Sequence, residues 1–226
     1  MLRASLAWGK LNSRYDALLA ANLHPEAPDD RRILLTRCRA WSVFQGTSQP
    51  FGDDCLDMFT ANGASRGVWR FRLPTGQGQH TIICLGIEML PAKNAVRMVF
   101  FREPAGQDPR LLPDDKPVSI IVRPDIEDRS FHEVTKAYLG PEQRFAPAVA
   151  GKKNGFDFQP DPARALSLRA QKAAFVQEPE WYYMVHRPLE AERGLDPDSD
   201  LFSPGYLTGR LTGGGHLEIS AAGAGR

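Results

Sequence analysis

The sequence predicts an all-β protein, a large antiparallel β-sandwich with few short helices. Apolar residues recur at every second position in many short runs, and turn-forming clusters such as LPTGQGQ and GKKNG separate these runs. The 18 prolines and 20 glycines leave little room for long helices. With 226 residues the chain is long enough to bury a large core. Many short strands at regular spacing are typical of a sandwich.

The clearest strand is GVWRFRL, in which Trp69, Phe71 and Leu73 alternate with arginines. Burying each of these aromatic side chains stabilises the fold by roughly 2–3 kcal/mol, so a slip in register is strongly disfavoured. NAVRMVFFRE alternates in the same way, with Val96 and Met98 on one face. Further strands are predicted for residues 33–44, 81–90, 117–124, 155–160, 165–170, 173–177, 181–186 and 216–220.

The remaining segments are assigned to short helices, turns and a tail. YDALLAAN and SFHEVTKAYL each predict a short helical segment, and LTGGG predicts a hairpin turn. We expect residues 1–220 to form a single domain and residues 221–226 to be a flexible tail or a truncated linker.

Composition excludes several classes of function. The formal net charge of +1 argues against a nucleic-acid partner, because such proteins normally carry a basic excess. No apolar run fits a signal peptide or a membrane span, so we expect a cytoplasmic protein with no membrane partner. Cys38, Cys55 and Cys84 form no CxxC pair, which argues against a disulfide framework and a zinc site.

The acidic stretch DPDSDL has aspartates at alternate positions, as the start of a calcium loop does, but the chain lacks two residues that such a loop requires. Counted from Asp196, a calcium loop needs glycine at the sixth position and glutamate at the twelfth, where this chain has Leu201 and Leu207. We therefore expect a rim loop, in which Asp196 accepts backbone N–H groups and Asp200 caps the backbone or pairs with Arg193.

No motif for catalysis is present, and we predict no catalytic residues, no metal and no cofactor. The chain has neither GxSxG nor HExxH, and no pair of carboxylates can be assigned to opposite sides of a glycosidic bond. His132 and His186 follow aromatic residues at strand ends, where a sugar site would take its polar groups. Trp181 and Tyr183 supply flat surfaces that suit either sugar stacking or core packing.

Two distant stretches point to a family. NSRYDALLAANLHPEAPDDRRILLTRCRAW near the start and EPEWYYMVHRPLEAERGLDPDSDLFSPGYL near the end resemble the N-terminal domain of bacterial-type glycogen debranching enzymes, which are amylo-α-1,6-glucosidase-like proteins. The middle run RPDIEDRSFHEVTKA is also similar to this family. The chain departs from the family at its opening, MLRASLAWGKLN, and at Asp16, where the family often has histidine.

The resemblance implies a galactose-mutarotase-like β-supersandwich that acts with a helical-barrel glucosidase domain absent from this chain. It implies a non-catalytic accessory domain of a glycoside hydrolase system, with an α-glucan as a candidate ligand. Two alternatives remain: an aldose epimerase or mutarotase-type enzyme on the same sandwich, and a structural interaction domain without a sugar site. The candidate residues for sugar binding or domain contact are Arg14, Tyr15, Asp16, His132, Trp181, Tyr183, His186, Arg193, Asp196 and Asp200.

Overall fold

The computed structural model describes residues 3, 8–24, 26–27, 30–63 and 65–225. Residues 1–2 and 4–7 of the divergent opening MLRASLAWGKLN, and Arg226 of the predicted tail, lie outside the described residues. The chain is about 60% strand and 7% helix, so the predicted all-β class is confirmed. Among the described residues, no helix has the length and apolar character needed to cross a lipid bilayer.

Fourteen strands are present in the described part of the chain. They are β1 (Leu19–Asn22), β2 (Arg31–Phe44), β3 (Thr47–Pro50), β4 (Leu56–Asn62), β5 (Arg66–Pro74), β6 (His80–Met89), β7 (Ala95–Arg102), β8 (Val118–Ser130), β9 (Val149–Lys152), β10 (Gly155–Asp161), β11 (Arg164–Gln171), β12 (Ala173–His186), β13 (Asp198–Leu211) and β14 (His216–Gly225). The helices are α1 (Pro141–Arg144) and α2 (Pro188–Glu192), with single 3-10 turns at Asp53–Cys55 and Ala137–Leu139.

These strands form two antiparallel sheets that pack face to face. The first sheet has the order β1-β2-β8-β13-β12, with β3 paired to β2. The second has the order β4-β5-β6-β7-β14-β11-β10-β9. One large apolar core lies between them and contains the predicted inward residues Trp69, Phe71, Leu73, Val96 and Met98. The period-two pattern therefore identified the buried face correctly.

The segment YDALLAAN is not helical, and its predicted helix is wrong. Its second half forms β1, which pairs antiparallel with β2 through Leu19 and Leu35. Alanine and leucine favour helices, but Leu19, Ala20 and Ala21 are all buried here by tertiary packing, which overrides a weak local preference. The predicted helix in SFHEVTKAYL is also mostly wrong, because β8 extends to Ser130 and only Ala137–Leu139 forms a helical turn.

Residues 198–205, which include most of the acidic stretch and the following SPG segment, belong to a strand, so only Asp196 and Pro197 of the stretch lie in a loop. β13 begins at Asp198 and continues to Leu211, with an irregular register between Phe202 and Leu207. Gly205 lies at this irregularity with φ 149°, and a Cβ there would come within 2.1 Å of the Val176 carbonyl oxygen on β12. Glycine is thus required for close strand approach.

Two further predictions need correction at the end of the chain. Residues 212–215 form a turn, but they join β13 of the first sheet to β14 of the second, so LTGGG is not a hairpin. The predicted flexible tail is wrong for residues 221–225, which complete β14 and pair with β11. Their small side chains permit this, because a Cβ on Gly223 would lie 2.4 Å from Leu34. A single domain over residues 1–220 stays a prediction.

Candidate functional site: a sealed ion-pair network and an open sheet face

The two sequence stretches that carry the family resemblance meet at one end of the sandwich. Ser13 Oγ and the backbone N–H of Arg14 donate hydrogen bonds to Glu190 Oε1, at 2.7 and 2.9 Å. Arg187 Nη1 donates to the carbonyl oxygen of Ser13 at 3.1 Å. Burial alone would raise the pKa of Glu190, but the bonds from Arg14 and Ser13 lower it below its ordinary value. These contacts join the N-terminal segment to α2.

Glu127 on β8 is the centre of this network and has no exposed side-chain area. It accepts hydrogen bonds from Thr36 Oγ1 at 2.5 Å, Arg129 Nε at 2.7 Å and Thr135 Oγ1 at 2.8 Å. Arg187, also fully buried, lies 3.7 Å away. Burial would raise the pKa of Glu127, but the two guanidiniums outweigh it and hold the pKa at about 2. We call Ser13, Arg14, Asp16, Glu127, Arg129, Arg187 and Glu190 the sealed network.

Of the predicted site residues, Arg14 and Asp16 belong to the sealed network. Asp16 is buried, accepts the backbone N–H groups of Asn12 and Ser13 at 2.7 and 2.9 Å, and pairs with Arg3 at 3.0 Å. The Arg14 Nη1 atom donates to the His132 carbonyl oxygen at 2.9 Å. Both side chains therefore hold backbone segments in place.

The side chains of Tyr15 and His132 contact each other beside the sealed network. The Tyr15 hydroxyl lies 3.2 Å from His132 Nδ1, and the Tyr15 ring centroid is 4.7 Å from that of Phe131. His186, which is exposed, instead pairs with Asp198 through Nδ1 and Oδ1 at 3.0 Å. Each histidine is thus held by a neighbouring side chain, and these contacts give the mutarotase alternative no support.

Two aspartates of the acidic stretch, Asp196 and Asp200, hold the local backbone. Asp196 accepts the backbone N–H of Asp198 at 3.1 Å, as predicted, and pairs with Lys136 at 2.7 Å. Asp200 does not pair with Arg193, which instead lies 3.5 Å from Glu190. Asp200 accepts the backbone N–H groups of Ala137 and Met184, at 2.8 and 2.9 Å, because β13 places its carboxylate between these two segments.

Trp181 and Tyr183 continue a stack of rings that begins in the core. Phe145 and Trp181 stack with centroids 5.6 Å apart, and Trp181 and Tyr183 follow at 6.2 Å. Trp181 is partly buried against the core, while half of Tyr183 is exposed. Its hydroxyl donates to Glu142 at 2.7 Å, and this bond raises the pKa of Tyr183. Trp181 therefore serves core packing as well as any surface role.

The outer face of the first sheet carries residues that the sequence analysis did not select. Cys38 and Ala40 of β2 point into the core, so Arg37 and Arg39 point to the opposite face. Arg37 Nε donates to Asp125 Oδ2 at 2.6 Å, and Arg39 Nη2 donates to Asp125 Oδ1 at 2.8 Å. The alternation R-C-R-A-W at 37–41 was a usable signal, because it puts two arginines and Trp41 on one face.

Strands β8, β12 and β13 complete this surface. Arg123 donates to Glu178 Oε1 at 2.6 Å and pairs with Glu180 at 3.2 Å, and its guanidinium lies 5.5 Å from the Tyr206 ring centroid. Arg39 also donates to Glu180 at 2.7 Å. We define the open face by its members, which are Arg37, Arg39, Trp41, Arg123, Asp125, Glu178, Glu180, Tyr182 and Tyr206.

In both regions the charged side chains are paired with one another. Among the described residues, no group of three or more histidine, cysteine, aspartate or glutamate side chains is placed to hold a metal ion. The carboxylates of the open face are each ion-paired with arginine, and Asp125 has no exposed side-chain area.

No curated protein matches the chain in sequence. Among solved structures, a mutant of the heparan sulfate lyase HepC from Pedobacter heparinus is similar, with 7% identity and a TM-score of 0.43. The similarity covers 84% of this chain and 22% of that chain, so this chain spans about a fifth of that protein's length.

A TM-score of this size carries no information on function. The family comparison is far more extensive, because the model described as "Glycogen debranching enzyme N terminal" matches residues 3–218. The chain therefore belongs to the family of glycogen debranching enzyme N-terminal domains.

Proposed function

We propose that this chain is a non-catalytic accessory domain that binds α-glucan and acts with a helical-barrel glucosidase domain of a debranching-type enzyme. The observation that carries the proposal is the family match over residues 3–218, which corresponds to an N-terminal region of larger debranching enzymes. The proposal includes a single domain over residues 1–220 and a cytoplasmic location, which limited proteolysis and cell fractionation test.

The contacts of the described residues support an accessory role over catalysis. The arginines and carboxylates of the sealed network bind one another and the backbone, with Glu127 and Arg187 wholly buried. The open face, in contrast, combines the exposed ring of Tyr182 and the half-buried rings of Trp41 and Tyr206 with hydrogen-bonding groups, which suits recognition of a polyhydroxyl chain.

A second surface supports contact with a partner domain. Large apolar side chains are exposed on three neighbouring segments, namely Tyr138, Leu139, Tyr183, Met184 and Leu195. Asp200, Lys136 and Glu142 join these segments through the hydrogen bonds and ion pair described above. Exposed apolar patches of this kind are typical of protein interfaces, and the glucosidase domain is the proposed occupant.

Two measurements on the purified chain test the proposal. Incubation with a branched limit dextrin is expected to release no glucose, whereas migration through gels that contain glycogen is expected to be retarded. Free maltooligosaccharide should relieve the retardation. Glucose release would contradict the non-catalytic assignment, and unchanged mobility would contradict glucan binding.

A further inference from the structure

Tyr182 has the most exposed ring of the open face, and two arginine guanidiniums pack against this ring. Its exposed fraction is 47%. The guanidinium carbons of Arg37 and Arg39 lie 5.1 and 5.2 Å from its ring centroid. A cation over an aromatic face is attractive, more so where solvent is partly excluded. The ring therefore rests on two arginines on the surface of the sheet.

The two arginines are fixed in turn by a buried carboxylate. Arg37 Nε donates to Asp125 at 2.6 Å, and Arg39 donates to it through Nε at 3.1 Å and Nη2 at 2.8 Å. Such paired, charge-assisted hydrogen bonds are strong and directional. Carboxylate, guanidiniums and ring thus form three layers. A ligand that stacks on Tyr182 meets a surface that is already ordered, which lowers the entropic cost of binding.

The charges of the open face cancel. Arg37, Arg39 and Arg123 contribute three positive charges, and their partners Asp125, Glu178 and Glu180 contribute three negative charges, for a net charge of zero (3 − 3). An anionic ligand such as nucleic acid or an acidic polysaccharide would require a positive excess. The face instead suits a neutral ligand with both apolar and hydrogen-bonding surface.

From these observations we propose that Tyr182 is the stacking platform of an α-glucan site on the open face. The inference rests on the glucan binding proposed above and assigns it to particular residues. The ring contacts the apolar face of one glucose unit, and Glu180 and Arg39 beside it hydrogen-bond the sugar hydroxyls. Trp41, whose ring centroid is 6.0 Å from the Arg39 guanidinium, offers a second surface to a longer chain.

The test is affinity electrophoresis of the purified chain through gels with increasing glycogen, which gives a dissociation constant for each variant. We expect Tyr182→Ala to weaken binding about tenfold and Tyr182→Phe to stay within about twofold of the unsubstituted chain, because phenylalanine keeps the flat ring. Tyr182→Leu, which keeps apolar bulk without a ring, should weaken binding like alanine. Met58→Ala is the control, since Met58 is 51% exposed but lies on β4 of the second sheet, outside the open face.

The outcomes separate this inference from the proposed function. If the unsubstituted chain shows no retardation, glucan binding itself is wrong, and the platform with it. If the chain is retarded and Tyr182→Ala or Tyr182→Leu is retarded equally, the platform is overturned while glucan binding stands. Tyr182→Ala could lower the melting temperature together with the affinity for glycogen. If Tyr182→Leu then restored both properties, the platform would be overturned, because apolar bulk alone would explain the loss.

Discussion

Asp125 and Glu127 lie two residues apart on β8, and each is a wholly buried carboxylate bound by two arginines. The two carboxylates differ in what covers the arginines that bind them. Arg129 donates to the Arg14 carbonyl oxygen at 2.6 Å, so the N-terminal segment covers the arginines of Glu127. Arg37 and Arg39 keep 13% and 20% of their side-chain area exposed beneath Tyr182. The same ion-pair chemistry is therefore structural in one place and accessible to a ligand in the other.

The largest expected effect concerns the sealed network. Glu127→Gln removes the charge that Arg129 and Arg187 require in a buried site, and breaking such a pair costs about 3–5 kcal/mol in the free energy of unfolding. The control is Glu178→Gln, which removes an exposed partner of Arg123 and should cost about 0.5 kcal/mol. Urea unfolding of both variants measures the difference, and equal losses would show that burial does not separate the two regions.

The pH dependence of the free energy of unfolding should reveal the contribution of the same carboxylate, Glu127. The folded-state pKa of Glu127 is about 2, below its ordinary value of 4.5, so its contribution is complete above pH 4.5 and is lost as the pH falls towards 2. The difference corresponds to about 3 kcal/mol. Glu190 has a lowered pKa and acts in the same direction. Urea unfolding between pH 2 and 6 tests this, and Glu127→Gln should flatten the curve; a slope unchanged by the substitution would contradict the assignment.

Asp200 is expected to have an intermediate effect on stability and a local effect on dynamics. Asp200→Ala leaves the N–H groups of Ala137 and Met184 without their acceptor, at a cost of about 2 kcal/mol. Amide hydrogen exchange should speed up at 137–144 and 183–185 before it changes elsewhere. Asp200→Asn keeps an acceptor oxygen and should lose less. Exchange that rises uniformly over the chain would contradict a local role.

The smallest expected effect belongs to the edge of the open face. Trp41→Ala should weaken binding of maltoheptaose about threefold and leave binding of glucose unaffected, because a single glucose unit stacked on Tyr182 does not also cover the second ring beside Arg39. Competition by glucose and maltoheptaose in the glycogen gels measures this. An equal loss for both sugars would show that Trp41 supports the face instead of contacting the glucan.

The sequence predicted the strands and their buried faces because these follow from local alternation, as Trp69 and Phe71 illustrate. It did not predict β1, since the helix preference of YDALLAAN was overridden by pairing with β2. The choice among rings was also missed. Trp181 and Tyr183 were preferred to Tyr182, but Trp181 packs against the core, and the contacts of Tyr182 with Arg37 and Arg39 come from strands that are distant in sequence.

The site predictions show a similar limit. The family signature correctly marked residues that lie together, because Arg14 meets Glu190 across 176 positions of sequence. It did not reveal that these groups are buried. Asp125 drew no attention as one acid among many, since its pairing with Arg37 and Arg39 depends on the register between β2 and β8.

Hydrogen–deuterium exchange of the chain with and without maltoheptaose tests most directly whether the open face binds glucan while the sealed network supports the fold. We expect the sugar to slow exchange in β2 around residues 37–41 and in β12 around residues 180–184. Exchange at residues 12–16 and 187–193 should stay unchanged. Protection confined to the latter two segments would contradict the account, because it would place the glucan on the sealed network.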